Sequence, residues 1–239
     1  MGKAVVVLGA RNLGGAIIEH FMEHGWSAAG VARSPETLDA VRARGALALG
    51  GDAADPESLA QLLDSAREQL GSLDAVVNAV TAARPPQVGP FGGGPLADAG
   101  LDAFRGWTVA VAEQAFVFLS AGAAALKSSG GGALVQVTGG SARRAMPGRG
   151  LWAAGAFATR ALVQAAAQEL RTEGIHAALL AVDATIESPK TTTPGTDRPA
   201  NSTAAMVDVA AAVHFLVEQG PRGMTHELVI TPAGDRWVP

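Results

Sequence analysis

The run LGARNLGGAI, residues 8–17, is the first place in this chain where residue types and spacing could do chemistry. Its glycines permit a tight turn and let backbone N–H groups approach a pyrophosphate, and a helix opening there adds its positive end. Thr138 and Ser141 carry hydroxyls able to hydrogen-bond a carbonyl, and suit a strand end and a turn equally well. Asp183 follows a strand-like run and is a candidate acid, and an aspartate there also serves as a turn or cap residue. Arg143, Arg144 and Arg149 read as solvated loop residues, with the binding of an anionic ligand as the alternative. His20 and His24 have the four-residue spacing of a metal pair, but with Glu19 and Glu23 beside them they read as a solvated helix face. No metal is expected.

What the chain lacks matters as much. It has no cysteine, which excludes disulfides, thiolate catalysis and cysteine metal sites, and it has no tyrosine. Lys and Arg total 18 against 22 Asp and Glu, for a net charge of −4 without a basic block, so nucleic acid is not an expected partner. Hydrophobic residues make up 48% and charged residues 17%, enough for a large core. MGKAVVVLGA reads as a first strand rather than a leader, because Arg11 interrupts it and no cleavage region follows. No apolar run is read as long enough to span a bilayer. The expectation is a cytoplasmic protein with no membrane partner.

The elements that must position these residues alternate along the chain. Strand-like runs fall at 3–9, 26–32, 45–51, 74–80, 133–139, 176–182 and 226–232. Helical patterns fall between them, with Ser34-Pro35 and Asp55-Pro56 as N-cap and first-turn signals. Two long alanine-rich helices are expected at about 104–127 and 152–172. A Pro/Gly-rich connection, 83–95, is long enough to be a site loop, and 191–203 reads as a lid. This order predicts an α/β fold, one doubly wound Rossmann-like domain over 1–239, with a parallel seven-stranded sheet and helices on both faces. Ligands in such folds sit at the carboxyl ends of the strands.

These motifs resemble the short-chain dehydrogenase/reductase family over essentially the whole chain. In the glycine loop, Gly9 stands at the first family glycine and Gly15 at the third, while Leu13 replaces the second and Gly14 is displaced by one position. The resemblance implies a nicotinamide dinucleotide held by Gly9, Arg11, Asn12 and Gly15, with Asp52 and Ala53 at the family's Asp-Val pair beside adenine. Asn78 and Ala79 match the segment that ends the fourth strand. Ala32 stands where members preferring NAD carry an acid, and Arg33 follows it; an arginine there suits a 2′-phosphate, so NADP(H) is expected over NAD(H).

The family's catalytic positions are different. Trp152 falls at the tyrosine, Ala156 at the lysine, Gly139 at the serine and Val111 at the asparagine. An indole N–H donates but does not titrate, so the usual proton transfer has no group to carry it. Thr138, Ser141 and Asp183 are the candidate substitutes, and Trp152 is either a wall against which a small ligand stacks or a plug. The favoured reading is an NADP(H)-binding protein without the usual catalysis: a sensor, a partner subunit or a scaffold. The alternatives are an atypical NADP(H)-dependent oxidoreductase or non-redox enzyme on a small carbonyl-type substrate, and a fold kept without cofactor. The family's subunits pair through helices matching 104–127 and 152–172, which implies a homodimer or homotetramer.

Overall fold

The first strand, β1 (Ala4–Leu8), is AVVVL, and none of its residues has any solvent exposure. A strand apolar on both faces can only lie inside a sheet covered on both sides. That is its place in the computed structural model, which describes residues 2–80, 90–188 and 201–235. The strands β2 (Ser27–Ala32), β3 (Leu47–Gly50), β4 (Ala75–Asn78), β5 (Gly132–Gly139) and β6 (Ile175–Val182) join it. Short segments β7 (Thr185–Ile186) and β8 (Thr203–Ala204) pair with each other, and β9 (Glu227–Ile230) completes the main sheet. Its order is β3-β2-β1-β4-β5-β6-β9, and every pairing is parallel. The predicted seven-stranded α/β fold is thus observed.

Alternate residues of the strands feed two cores. Val5, Val7 and Val77 pack with Ile17, Ile18 and Phe21 of α1 (Asn12–Glu23) on one face. Val41 of α2 (Pro35–Ala43) belongs to the same core. Val6, Leu8 and Val76 pack with Leu59 and Leu63 of α3 (Pro56–Leu70) on the other. Each such side chain contributes about 1.5–3 kcal/mol when fully buried. The caps are as read: Ser34 Oγ accepts from Thr37 N, and Asp55 Oδ1 accepts from Ser58 N at 2.7 Å.

The long helices differ from expectation in detail. The first is α4 (Leu101–Phe104), a π-helical turn over Arg105–Val109, and α5 (Ala110–Ser129). The second is α6 (Gly150–Glu169), and a last helix, α7 (Met206–Val217), covers the first core. The helical run Leu101–Ser129 contains an 18-residue window of mean hydropathy 1.7, long and apolar enough by length and composition alone to cross a membrane. This corrects the expectation that no such run exists, which rested on uninterrupted apolar residues; a mean over 18 residues tolerates an occasional charge among strongly apolar neighbours. Within the fold, Phe118 and Leu126 of that run are buried in the second core. The proposed lid falls largely outside the described residues, as does 83–89 of the Pro/Gly-rich connection; Thr203 belongs to β8.

Candidate functional site

All the expected cofactor residues gather at the carboxyl edge of the sheet. Gly9 follows β1, Arg33 follows β2, Asp52 lies just past β3, and Asn78 ends β4 with Ala79 next. Gly9 has φ +80°, and a side chain there would meet the Ala79 carbonyl oxygen and Val80 backbone at 2.9 Å. A Cβ at Gly14 would run into the Gly9 carbonyl oxygen, whereas one at Gly15 would only touch the Arg44 guanidinium. The displaced glycine, Gly14, is therefore the one that lets α1 start tight against the loop. Arg11 is exposed and caps nothing with its side chain, and the first turn of α1 holds no acid. Asn12 is the first residue of that turn, and Leu13 beside it is half-buried against the first core. An anion is thus favoured by the helix end, and no acid in the first turn opposes it. This cradle fits the pyrophosphate of a dinucleotide.

Arg33 is two-thirds exposed, with its Nη1 3.6 Å from Asp52 Oδ2. Asp52 is itself anchored: its Oδ1 accepts from Ala54 N at 3.0 Å, and its own N–H donates to Ser58 Oγ at 3.1 Å. Ala53 beside it is buried. Exposed pairs of this length are weak, so the guanidinium is free to turn to a stronger anion.

Asn78 is wholly buried in an amide cluster that was not read from the sequence. Its Nδ2 donates to Gln114 Oε1 at 2.9 Å and to Gln136 Oε1 at 2.7 Å, and its Oδ1 accepts from Gln114 Nε2 and Val80 N. Gln114 lies on α5, in the helix turn after Val111, and Gln136 on β5. Buried amides without such partners would each cost about 1–3 kcal/mol. The cluster fixes the end of β4, where Ala79 N also donates to Leu8 O at 3.0 Å.

Trp152 sits in the first turn of α6 and is half-buried. Two aromatic rings close on it: Trp107 of the π-helical turn at 5.6 Å and Phe91 at 5.8 Å between centroids. Trp107 and Phe91 also meet, at 5.0 Å. Phe91 belongs to the Pro/Gly-rich connection, where a Cβ at Gly93 would strike Leu151 Cδ1 at 2.6 Å. Residues 91–93 of the connection are pressed onto the start of α6. Ala156, one turn beyond Trp152, is 1% exposed.

Thr138 and Ser141 are half-buried on either side of Gly139 and Gly140. A Cβ at Gly139 would meet nothing nearer than the Val182 carbonyl oxygen at 3.9 Å. One at Gly140 would overlap the Asp183 carboxylate. Asp183 is largely buried, and its Oδ2 lies 3.5 Å from Arg144 Nε. Arg143 and Arg144 of this loop are engaged by carboxylates rather than solvated, which corrects the expectation for those two, while Arg149 stays exposed. Arg143 Nη1 and Arg160 Nε each reach Glu227 of β9 at 2.8 Å, and Arg149 lies over the Phe91 ring at 5.4 Å. Glu227, Arg160, Trp107 and Phe91 had no signal in local sequence, because their partners come from distant elements.

His20 and His24 are likewise not a bare helix face. His214 of α7 joins them, and the ligating atoms of all three lie within 4.8 Å of one another.

The chain matches the short chain dehydrogenase family over residues 3–192. No curated protein matches it. Its fold is similar to that of an alcohol dehydrogenase from the archaeon Thermococcus sibiricus complexed with 5-hydroxy-NADP (TM-score 0.79, 22% identity, 100% of each chain). It is also similar to acetoin dehydrogenase from Enterobacter cloacae (TM-score 0.80, 20% identity, 100% of this chain and 99% of that one). A third similar structure is ElxO with NADP bound (TM-score 0.82, 18% identity, 96% and 97%). With a matching family over most of its length and the parallel sheet in place, this chain belongs to the short-chain dehydrogenase family.

Proposed function

We propose that this chain binds NADP(H) at the carboxyl edge of its sheet and does not run the proton transfer that family reductases perform. The observation that carries this is the aromatic cluster of Trp152, Trp107 and Phe91 where the resemblance puts a tyrosine. Bound there, NADP(H) would supply hydride chemistry. The residues of this chain would hold it: Gly9, Asn12 and Gly14 at the pyrophosphate, Arg11 and Arg33 at the 2′-phosphate, and Asp52, Ala53, Asn78 and Ala79 along the adenine and ribose side.

Trp152 and Trp107 would supply an apolar wall that excludes water, and neither can donate a proton reversibly at neutral pH. Asp183 is a weak candidate for that task, because its carboxylate is already engaged by Arg144, 3.5 Å away. Thr138 and Ser141 remain able to orient a carbonyl. This combination supports a cofactor-dependent sensor or partner subunit over an oxidoreductase of the ordinary kind.

A homo-oligomer is part of the proposal. Phe116 of α5 and Phe157 of α6 are 59% and 42% exposed, apolar surface of the sort that subunit pairing covers.

Incubation with NADPH and a panel of simple aldehydes and ketones, followed at the NADPH absorbance, tests the catalytic half. No substrate-dependent oxidation is expected from protein that binds NADPH. Sustained turnover on any of them would overturn it and turn attention to Thr138, Ser141 and Asp183.

A further inference from the structure

We propose that His20, His24 and His214 form a site for a divalent transition-metal ion, tying the C-terminal half of α1 to α7. The inference stands apart from the cofactor reading. His20 and His24 share one face of α1 because they lie one turn apart. His214 approaches from α7, with ring centroids 4.7 Å from His24 and 5.2 Å from His20, and the first two rings stack at 4.2 Å. Imidazole is the donor that Zn²⁺, Ni²⁺ and Cu²⁺ share.

The spread of the donors is close to what a metal needs. Nitrogens bound to zinc at about 2.0–2.1 Å in a tetrahedron stand about 3.3 Å apart. The three donors already lie within 4.8 Å of one another, on side chains that are exposed or half-buried. Rotation about the side-chain bonds closes the difference without moving backbone.

Surrounding groups orient the donors as metal ligands are oriented. His24 Nδ1–H donates to the His20 carbonyl oxygen at 2.7 Å, which leaves Nε2 with its lone pair free. The buried Phe21 ring meets His214 edge-on at 4.9 Å and fixes its plane. Glu218 Oε1 lies 3.8 Å from His214 Nε2, a carboxylate next to the place where positive charge would arrive. Lys3 is paired with both oxygens of Glu218, at 3.0 and 2.9 Å.

Burial, then the neighbouring histidine charge, lowers the pKa of His20. Burial first, then His24 and His20, lowers that of His214.

The cluster neighbours Lys3 and Trp26, which directly precede β1 and β2. It thus marks the amino edge of the sheet, opposite the glycine loop. Helix α1 runs between the two, with about 18 Å from its first residue to its last. The ion would clamp the far end of the helix whose N-terminus forms the phosphate cradle.

The test uses the full chain freed of any affinity tag and treated with chelator. ZnCl2 is titrated in by calorimetry, and melting is followed with and without zinc. The expected result is one ion per chain, a raised Tm, and binding weaker by about tenfold or more in both His24→Ala and His214→Gln. His24 is exposed, so His24→Ala should keep the metal-free Tm of the wild type. Wild-type protein that takes up no zinc, or zinc binding that survives either substitution unchanged, overturns the site.

Discussion

Trp152 meets Trp107 edge to face, with planes at 89° and centroids 5.6 Å apart. The pair joins the first turn of α6 to the π-helical turn before α5, and Phe91 closes it from the Pro/Gly-rich connection. An edge-to-face pair contributes about 0.5–1.5 kcal/mol beyond its buried area. Trp152→Tyr therefore loosens this wall without creating a reductase. Ala156 offers no ammonium to lower a phenol pKa, and Gly139 offers no hydroxyl. NADPH oxidation with a simple ketone should stay at background in this variant; a clear rate would show that a single phenol suffices here.

Gly139 and Gly140 are adjacent but face different surroundings. A Cβ at Gly139 makes only an ordinary contact with the Val182 carbonyl oxygen, while one at Gly140 overlaps the Asp183 carboxylate. Gly139→Ser should leave Tm within a degree or two. Gly140→Ser should cost about 1–3 kcal/mol, the usual penalty for overpacking. Equal melting curves for the two variants would contradict the position assigned to Asp183.

Glu227 holds two arginines, Arg143 and Arg160, at 2.8 Å each. The three side chains are less than a third exposed, so removing the one carboxylate leaves two half-buried cations facing each other. Glu227→Ala should cost about 1–2 kcal/mol, below the full buried-pair penalty because solvent reaches the group. In a chain of this length that lowers Tm by about 2–8 °C. Replacing Arg160 by Leu in the same chain should recover part of the loss. A Tm that does not move would mean that the pairs contribute nothing.

His176 is 3% exposed at the start of β6, and its Nε2–H donates to the Thr225 carbonyl oxygen at 3.0 Å. Burial lowers its pKa, opposed by that hydrogen bond. The folded state thus binds the proton less well than the unfolded chain does. Its contribution is full above the unfolded value of about 6.5 and is lost as pH falls through the lower folded value. Denaturant midpoints measured from pH 7.5 down to pH 5 should fall, and His176→Leu should flatten that part of the decline. An unchanged slope in the variant would assign the acid sensitivity elsewhere.

Much of the frame was legible in the sequence. The seven strands, their parallel direction, and the Ser34 and Asp55 caps follow from local composition, because buried strands and caps are set by neighbours in the chain. So was the gathering of Gly9, Arg33, Asp52 and Asn78 at one edge, since parallel strands bring their ends together. What escaped depends on partners far apart in sequence. Nothing near Asn78 announces Gln114 and Gln136, and nothing near His24 announces His214. The loop arginines read as solvated because Glu227 and Asp183 arrive only with the last strands of the sheet. Gly14 read as a displaced glycine, yet the space above the Gly9 carbonyl makes it the one that the turn requires.

The central claim is tested most directly by calorimetric titration of NADPH and of NADH into the wild type and Arg33→Ala. Tryptophan fluorescence followed alongside reports arrival near Trp152. The account predicts micromolar binding of NADPH, weaker binding of NADH, and NADPH affinity reduced about tenfold or more in Arg33→Ala, with NADH little changed. Absence of binding for both at millimolar concentration, or equal affinities untouched by Arg33→Ala, would contradict it.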